Sequence, residues 1–247
     1  MLVHGTLIHA PLPGDLEIIE DALVTVDVHG TISNVEPMVD ASRLEKEQED
    51  ELTRLEHGQY LLPGLVDLHV HAPQWPQLGK ALDLPLNEWL KKHTFPLEAR
   101  YRDLDFARRS YESLVDALLA NGTTTAAYFG TVHVAATRLL ADIVAEKGQR
   151  AVIGKVAMDH ADQCPDFYRD RTTQSGLDGT RELIEYVRGK DSSLLHAAVT
   201  PRFIPACTDA MLEGLAGIAD EYGCHIQTHC SESDWEHRHV IDRLGAS

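Results

Sequence analysis

The chain has 247 residues, with 22 Lys+Arg against 39 Asp+Glu and a formal net charge of −17. At 43% hydrophobic and 25% charged residues it reads as a soluble globular protein, and no apolar run reaches the ~20 residues of a membrane span. The acidic excess argues against nucleic acid and against an anionic membrane as partners, since both attract a basic surface. Met1-Leu2-Val3-His4-Gly5 lacks the basic and apolar regions of a signal peptide. Cys164, Cys207, Cys224 and Cys230 form no CxxC pair and read as reduced thiols of a cytoplasmic protein.

In chain order, residues 1–58 carry short β-like pieces at Leu2–Ile8, Ala22–Val28 and Thr31–Val35. His29-Gly30 marks a hairpin between the last two. This region is expected to be a small β-module, the N-terminal part of a β-sandwich. Between Asp15 and Glu56 there are 13 acidic and 3 basic residues, concentrated in Arg43–Glu56. That stretch reads as a solvated loop or frayed helix, with an acidic interaction surface as the alternative.

From residue 59 onward the pattern becomes alternating strand and helix. Five strand-like runs stand out: Leu61–His71, Thr123–Phe129, Arg150–Asp159, Leu194–Phe203 and His225–Glu232. Between them, apolar residues fall at helical spacing from Leu104 to Leu119, with Gly122 as a stop. A second helix covers Leu139–Val144 before Gly148. A third runs from an N-cap at Thr208 to a stop at Gly223. Such alternation predicts an α/β fold with a parallel sheet under helices. About five strand–helix units are legible in residues 59–247, fewer than the eight of a (β/α)8 TIM-type barrel, so the barrel is expected to be incomplete.

Chemistry concentrates at the ends of these strands. His69 and His71 are two apart at the end of the first, so alternation turns both imidazoles to one face. Such a pair suits zinc, with iron as the alternative. An isolated HxH is more often two ordinary polar residues, but Pro63-Gly64 and Asp67 sharpen the signal. His229 ends the fifth strand and could supply a third ligand. Glu232, three residues on, could carry protons to and from a metal-bound water. Arg202 and Phe203, closing the fourth strand, read either as a donor and a stacking ring or as a salt-bridged Arg and a core Phe. Gln74 reads as a base-edge reader or a solvated loop residue. No GxGxxG, phosphate-loop, GxSxG or HxE…PCxxC pattern is present.

Together with His71-Ala72-Pro73-Gln74, Asp83–Leu90, Thr94–Glu98, Asn121–Ala126, Gly154–Asp159, Thr200–Phe203 and Gln227–Glu232, the run Pro63–His71 resembles the amidohydrolase superfamily of metal-dependent hydrolases. Within it, the details resemble the guanine deaminases. The resemblance implies one zinc on His69, His71 and His229. It implies a purine held by Gln74, Arg202, Phe203 and His229, and proton transfer by Glu232. The implied reaction converts guanine to xanthine and ammonia. Alternatives are another heterocycle deaminase or a chlorohydrolase of the same superfamily. The resemblance further implies a homodimer for the full-length protein, and a strand-end His and a strand-end Asp beyond Ser247. On that reading the 247 residues are a C-terminally truncated chain, with an inactive fragment as the alternative.

Overall fold

The computed structural model describes residues 1–40, 42 and 51–245. The chain divides into two compact units, Met1–Gly64 and Leu65–Ser247. Among the described residues, no helix is long and apolar enough to cross a membrane.

The first unit is a sheet of β1 (Leu2–His9), β2 (Glu17–Val26), β3 (Ile32–Glu36), β4 (Leu52–Arg54) and β5 (Tyr60–Leu61), with β3-β2-β1-β4 as its main order. β1 and β2 pair antiparallel, as do β2 and β3. The expected hairpin forms because Asp27 Oδ1 accepts hydrogen bonds from the His29 and Thr31 amides, at 2.8 and 2.9 Å. Gly30 takes the positive φ of 78° that the turn requires. Leu7, Ala22 and Val24 are buried together with Val3, Ile19 and Leu61 against them.

Two expectations shift here. Residues 43–50 of the acidic stretch lie outside the described residues. Its later part is neither loop nor helix, because Leu52–Arg54 adds to β1 as a parallel strand. The expected strand Leu61–His71 breaks at Pro63-Gly64, and Tyr60–Leu61 pairs with β1. The units therefore divide after Gly64 rather than after residue 58.

The second unit alternates strand and helix: β6 (Leu65–His71), α1 (Leu104–Ala120), β7 (Thr123–Phe129), α2 (Val134–Glu146), β8 (Arg150–Gly154), β9 (Val156–Ala157), α3 (Thr173–Arg188), β10 (Leu195–Pro201), α4 (Asp209–Tyr222), β11 (His225–Ile226) and α5 (Asp234–Leu244). The sheet order β11-β10-β8-β7-β6 follows chain order, all pairs are parallel, and β9 also pairs with β10. This is the strand–helix progression the sequence predicts, and among the described residues the sheet does not close on itself. Its two edge strands, β6 and β11, carry exposed Val66, Leu68 and Ile226.

Local chemistry sets the element limits. Asp103 caps α1 by accepting from the Asp105 and Phe106 amides. The Thr208 side chain accepts from Met211 N at the start of α4, and Gly223 closes that helix at φ 57°. α3 goes unrecognised in the sequence because Gly176 and Gly179 interrupt its apolar pattern. Both glycines sit where neighbours come close. A Cβ on Gly176 would lie 2.4 Å from Met211 Cε, and one on Gly179 would lie 2.9 Å from Val134 Cγ2.

The expected strand Arg150–Asp159 is interrupted at Lys155, whose side chain turns inward to Asp170 at 2.6 Å. The core between sheet and helices holds Tyr111, Leu140, Ile143, Ile153, Leu183 and Val199. Each such aliphatic side chain contributes about 1.5–3 kcal/mol by burial. At the sheet, a Cβ on Gly154 would fall 1.7 Å from Thr200 Oγ1. Gly154→Ala is expected to destabilise the protein by about 1–3 kcal/mol or more through overpacking, read from urea denaturation.

Candidate metal centre and substrate pocket

β6 ends at His71, and its two histidines come from alternate positions. The alternation is not perfectly regular. The β6–β7 register shifts between Asp67 and Val70, and Asp67 Oδ1 accepts from the His69 amide at 3.0 Å. Such an irregularity bends a strand and re-aims its side chains. Across the sheet, regular pairing of β11 stops at Ile226, shorter than the expected run to Glu232. Pro201 in β10 has no N–H with which to extend a ladder. The segment that follows is still tied down, by Gln227 N to Val199 O at 3.0 Å and His229 N to Arg202 O at 3.3 Å. His229 therefore sits just past a short strand, not at the end of a long one.

The three imidazoles meet. His229 Nε2 lies 2.8 Å from His71 Nε2 and 3.2 Å from His69 Nε2. Among the described residues they form the only group of three His, Cys, Asp or Glu that could hold a metal ion, with ligand atoms within 4.8 Å of one another. His229 Nδ1–H donates to the Arg202 carbonyl oxygen at 2.6 Å, because a carbonyl can only accept. That contact leaves the Nε2 lone pair of the neutral ring directed at the other two imidazoles. It is the arrangement by which a backbone carbonyl orients a metal-binding histidine.

Phe129, at the end of β7, lies against all three rings, at centroid distances of 4.7–4.8 Å. Burial is the main reason all three imidazoles are held below their ordinary pKa. For His71 the shift is large, and Arg202, His229 and His69 add to it. The neutral imidazole so favoured is the form that binds a metal. The donor set of three converging neutral nitrogens fits zinc, and it also suits iron.

Around this cluster lies a pocket of about 100 Å³, lined by His69, His71, Gln74, Trp89, Leu90, Arg202, Phe203, His229 and Glu232. All seven residues singled out in the sequence face this one space, although they come from three distant segments. Glu232 follows Ser231, a non-glycine residue at φ 54°, and its amide donates to Glu236 Oε2 at 2.7 Å. The left-handed conformation at Ser231 costs about 1–2 kcal/mol. Burial raises the Glu232 pKa above the usual carboxylate range, while Arg202 and His69 pull it partly back. A carboxyl group so placed holds a proton more readily than an exposed glutamate and can serve as an acid–base group.

Arg202 resolves a choice the sequence left open, because it is both salt-bridged and pocket-lining. It is 2% exposed, and its guanidinium makes a two-point bridge to Glu98, at 2.6 and 3.2 Å. Phe203 likewise is buried and faces the pocket. Gln74 is half-buried, not a solvated loop residue, and donates to Glu98 at 2.9 Å.

Trp89, Leu90, Glu98 and Phe129 were not singled out from sequence. Trp89 and Leu90 lie where a helical run over 86–102 passes through a π-helical turn at Leu90–Thr94, a distortion frequent at functional sites. An aromatic residue closing a predicted strand was the available signal for Phe129.

Residues 60–247 match the model of the Amidohydrolase family. The chain belongs to that family. It is 40% identical over 243 residues to a guanine deaminase of Dictyostelium discoideum, covering 94% of this chain and 53% of that protein. It is 39% identical over 235 residues to the guanine deaminase of Homo sapiens, covering 94% and 51%. Among solved structures, a guanine deaminase from C. acetobutylicum with bound guanine in the active site matches with a TM-score of 0.88 at 31% identity. That match covers 100% of this chain and 56% of the other. The chain thus spans about half the length of the curated relatives it matches. Its larger unit is a parallel sheet with helices, similar in fold to the matching part of that C. acetobutylicum structure, and among the described residues the sheet is not closed into a barrel.

Proposed function

We propose that the protein acts in the hydrolytic deamination of guanine to xanthine and ammonia, with one zinc ion held by His69, His71 and His229. The observation that carries this reading is the convergence of three neutral imidazoles, a pKa-raised carboxyl and an Arg–Gln–Phe wall on one small pocket. The similarity to guanine deaminases supports the choice of substrate.

Zinc, when bound, lowers the pKa of a coordinated water from 15.7 toward ~7. The chain's own residues do the rest. Arg202, buried and cationic, donates to the ring carbonyl of the purine. Gln74 reads the neighbouring edge. Phe203 stacks on the ring. Glu232, as carboxylate, takes a proton from the attacking water. As carboxylic acid it gives that proton to the ring nitrogen, where it stays; it then takes the proton of the new C–OH and passes it to the departing amino group as the C=O forms. One C–N bond breaks, one C–O bond forms, and ammonia leaves. Trp89 and Leu90 add apolar wall to the pocket.

The test is ammonia release from guanine, adenine, cytosine and ammeline. It is run on the 247-residue chain and on the full reading frame that contains it. Guanine as the preferred substrate supports the proposal, and no ammonia from guanine in either form overturns it. A preference for ammeline or cytosine would reassign the substrate within the family.

His69→Ala and His71→Ala are each expected to lower zinc content well below one ion per chain, measured by elemental analysis. Unchanged stoichiometry would remove these residues from the metal's ligands, and iron in place of zinc would reassign the metal.

A further inference from the structure

Glu98 does not line the pocket, yet it holds two residues that do. It closes the Phe95–Glu98 turn of the helical run and is 0% exposed. Its Oε2 accepts from Arg202 Nη1 at 2.6 Å. Its Oε1 accepts from Arg202 Nη2 at 3.2 Å and from Gln74 Nε2 at 2.9 Å. The two partners come from distant parts of the unit, one just past β6 and the other just past β10.

The chemistry of this fork has a directional consequence. A carboxylate facing a guanidinium on two points is an acceptor only. The Gln74 atom turned toward it must therefore be the NH2 group, and the Gln74 carbonyl oxygen is left for the pocket. Arg202 commits two of its five N–H donors to Glu98, and the Phe95 ring lies 5.0 Å beneath the guanidinium, fixing its plane. The three donors that remain belong to a residue lining the same pocket. The wall therefore presents one acceptor beside a cationic donor.

We propose that Glu98 is a positioning residue that sets this site's specificity for a lactam edge, a ring carbonyl flanked by N–H, over an amidine edge. This rests on the purine reading above and deepens it. A lactam offers an acceptor to Arg202 and a donor to the Gln74 oxygen. An amidine edge, a ring C–NH2 beside an unprotonated nitrogen, turns a donor toward Arg202 and a lone pair toward the Gln74 oxygen. Both contacts then fail in a buried site. Sites built to hydrogen-bond a substrate group reject analogues lacking it by about 10⁴-fold or more. Without the carboxylate, Gln74 is free to turn its NH2 inward, and the distinction weakens.

The probes are guanine and 2,6-diaminopurine, which share the 2-amino group and differ in the lactam or amidine edge. The ratio of their Kd values is measured by calorimetry on the zinc-loaded protein, and the ratio of kcat/KM by ammonia release. Glu98→Gln is expected to shrink both ratios at least tenfold while leaving zinc stoichiometry unchanged. Glu98→Asp keeps a charge opposite Arg202 but draws it back from Gln74. It is expected to give an intermediate ratio, and it decides the matter if the amide variant does not fold. A purely structural role weakens both purines by the same factor, and an unmoved ratio in a folded variant overturns the inference alone. A parent protein that binds neither purine overturns the functional reading and this inference with it.

Discussion

Glu232→Gln is expected to lower the rate of guanine deamination by about 10²–10⁴-fold, the usual contribution of a positioned acid–base group. Zinc content should not change. The nitrogens that converge belong to His69, His71 and His229, and Glu232 is not part of that group. The amide keeps the size of the side chain and its place beside the pocket but can neither take nor return a proton. Elemental analysis and an ammonia assay on the same sample separate the roles, since loss of zinc would make Glu232 a ligand.

The pH profile gives a second check. The working form at the start of the reaction is the carboxylate, so activity falls as pH drops through the Glu232 pKa. Burial raises that pKa, opposed by Arg202 and His69, so the acid limb should lie above the usual carboxylate range. An acid limb at or below that range would contradict the assignment.

The second large effect is on stability. Lys155 and Asp170 form an ion pair at 2.6 Å with side chains 1% and 6% exposed. Asp170 Oδ2 also accepts from the Met158 amide at 3.0 Å. Asp170→Ala leaves a buried ammonium with no counter-ion and an amide with no acceptor. The expected cost is about 3–5 kcal/mol, read from urea denaturation. A loss under about 1 kcal/mol would mean the pair behaves as an exposed one. Pairing the change with Lys155→Met should recover much of the loss, because it removes the stranded charge.

Much of the site could be read from sequence, for a physical reason. Spacing of two on a strand places His69 and His71 on one face, and strand ends in a parallel α/β unit gather on one side. His229, Arg202 and Glu232 could therefore be assigned to the same region without coordinates. The caps at Thr208 and Gly223 were legible because each needs a specific residue at a specific place. What could not be read depends on long-range contact. Glu98 meets Arg202 across 104 positions, and nothing in Thr94–Glu98 announces that meeting. α3 was hidden because its glycines answer to Met211 and Val134, which lie outside the helix. The break at Pro63-Gly64 was missed because apolar residues continue on both sides, although Leu61 and Leu65 pair with different sheets.

The imidazole cluster also has a mechanical side. β6 and β11 are the two edges of the sheet, with β7, β8 and β10 between them, yet His71 and His229 touch across 158 positions of chain. A metal held there would clasp one edge of the curled sheet to the other. Because such a metal binds the folded chain and not the unfolded one, it would stabilise the fold by mass action, by about 2.7 kcal/mol at a free concentration about 100 times its Kd. The three side chains proposed to hold the metal would thus act as a buckle, coupling the curvature of the sheet to occupancy of the site.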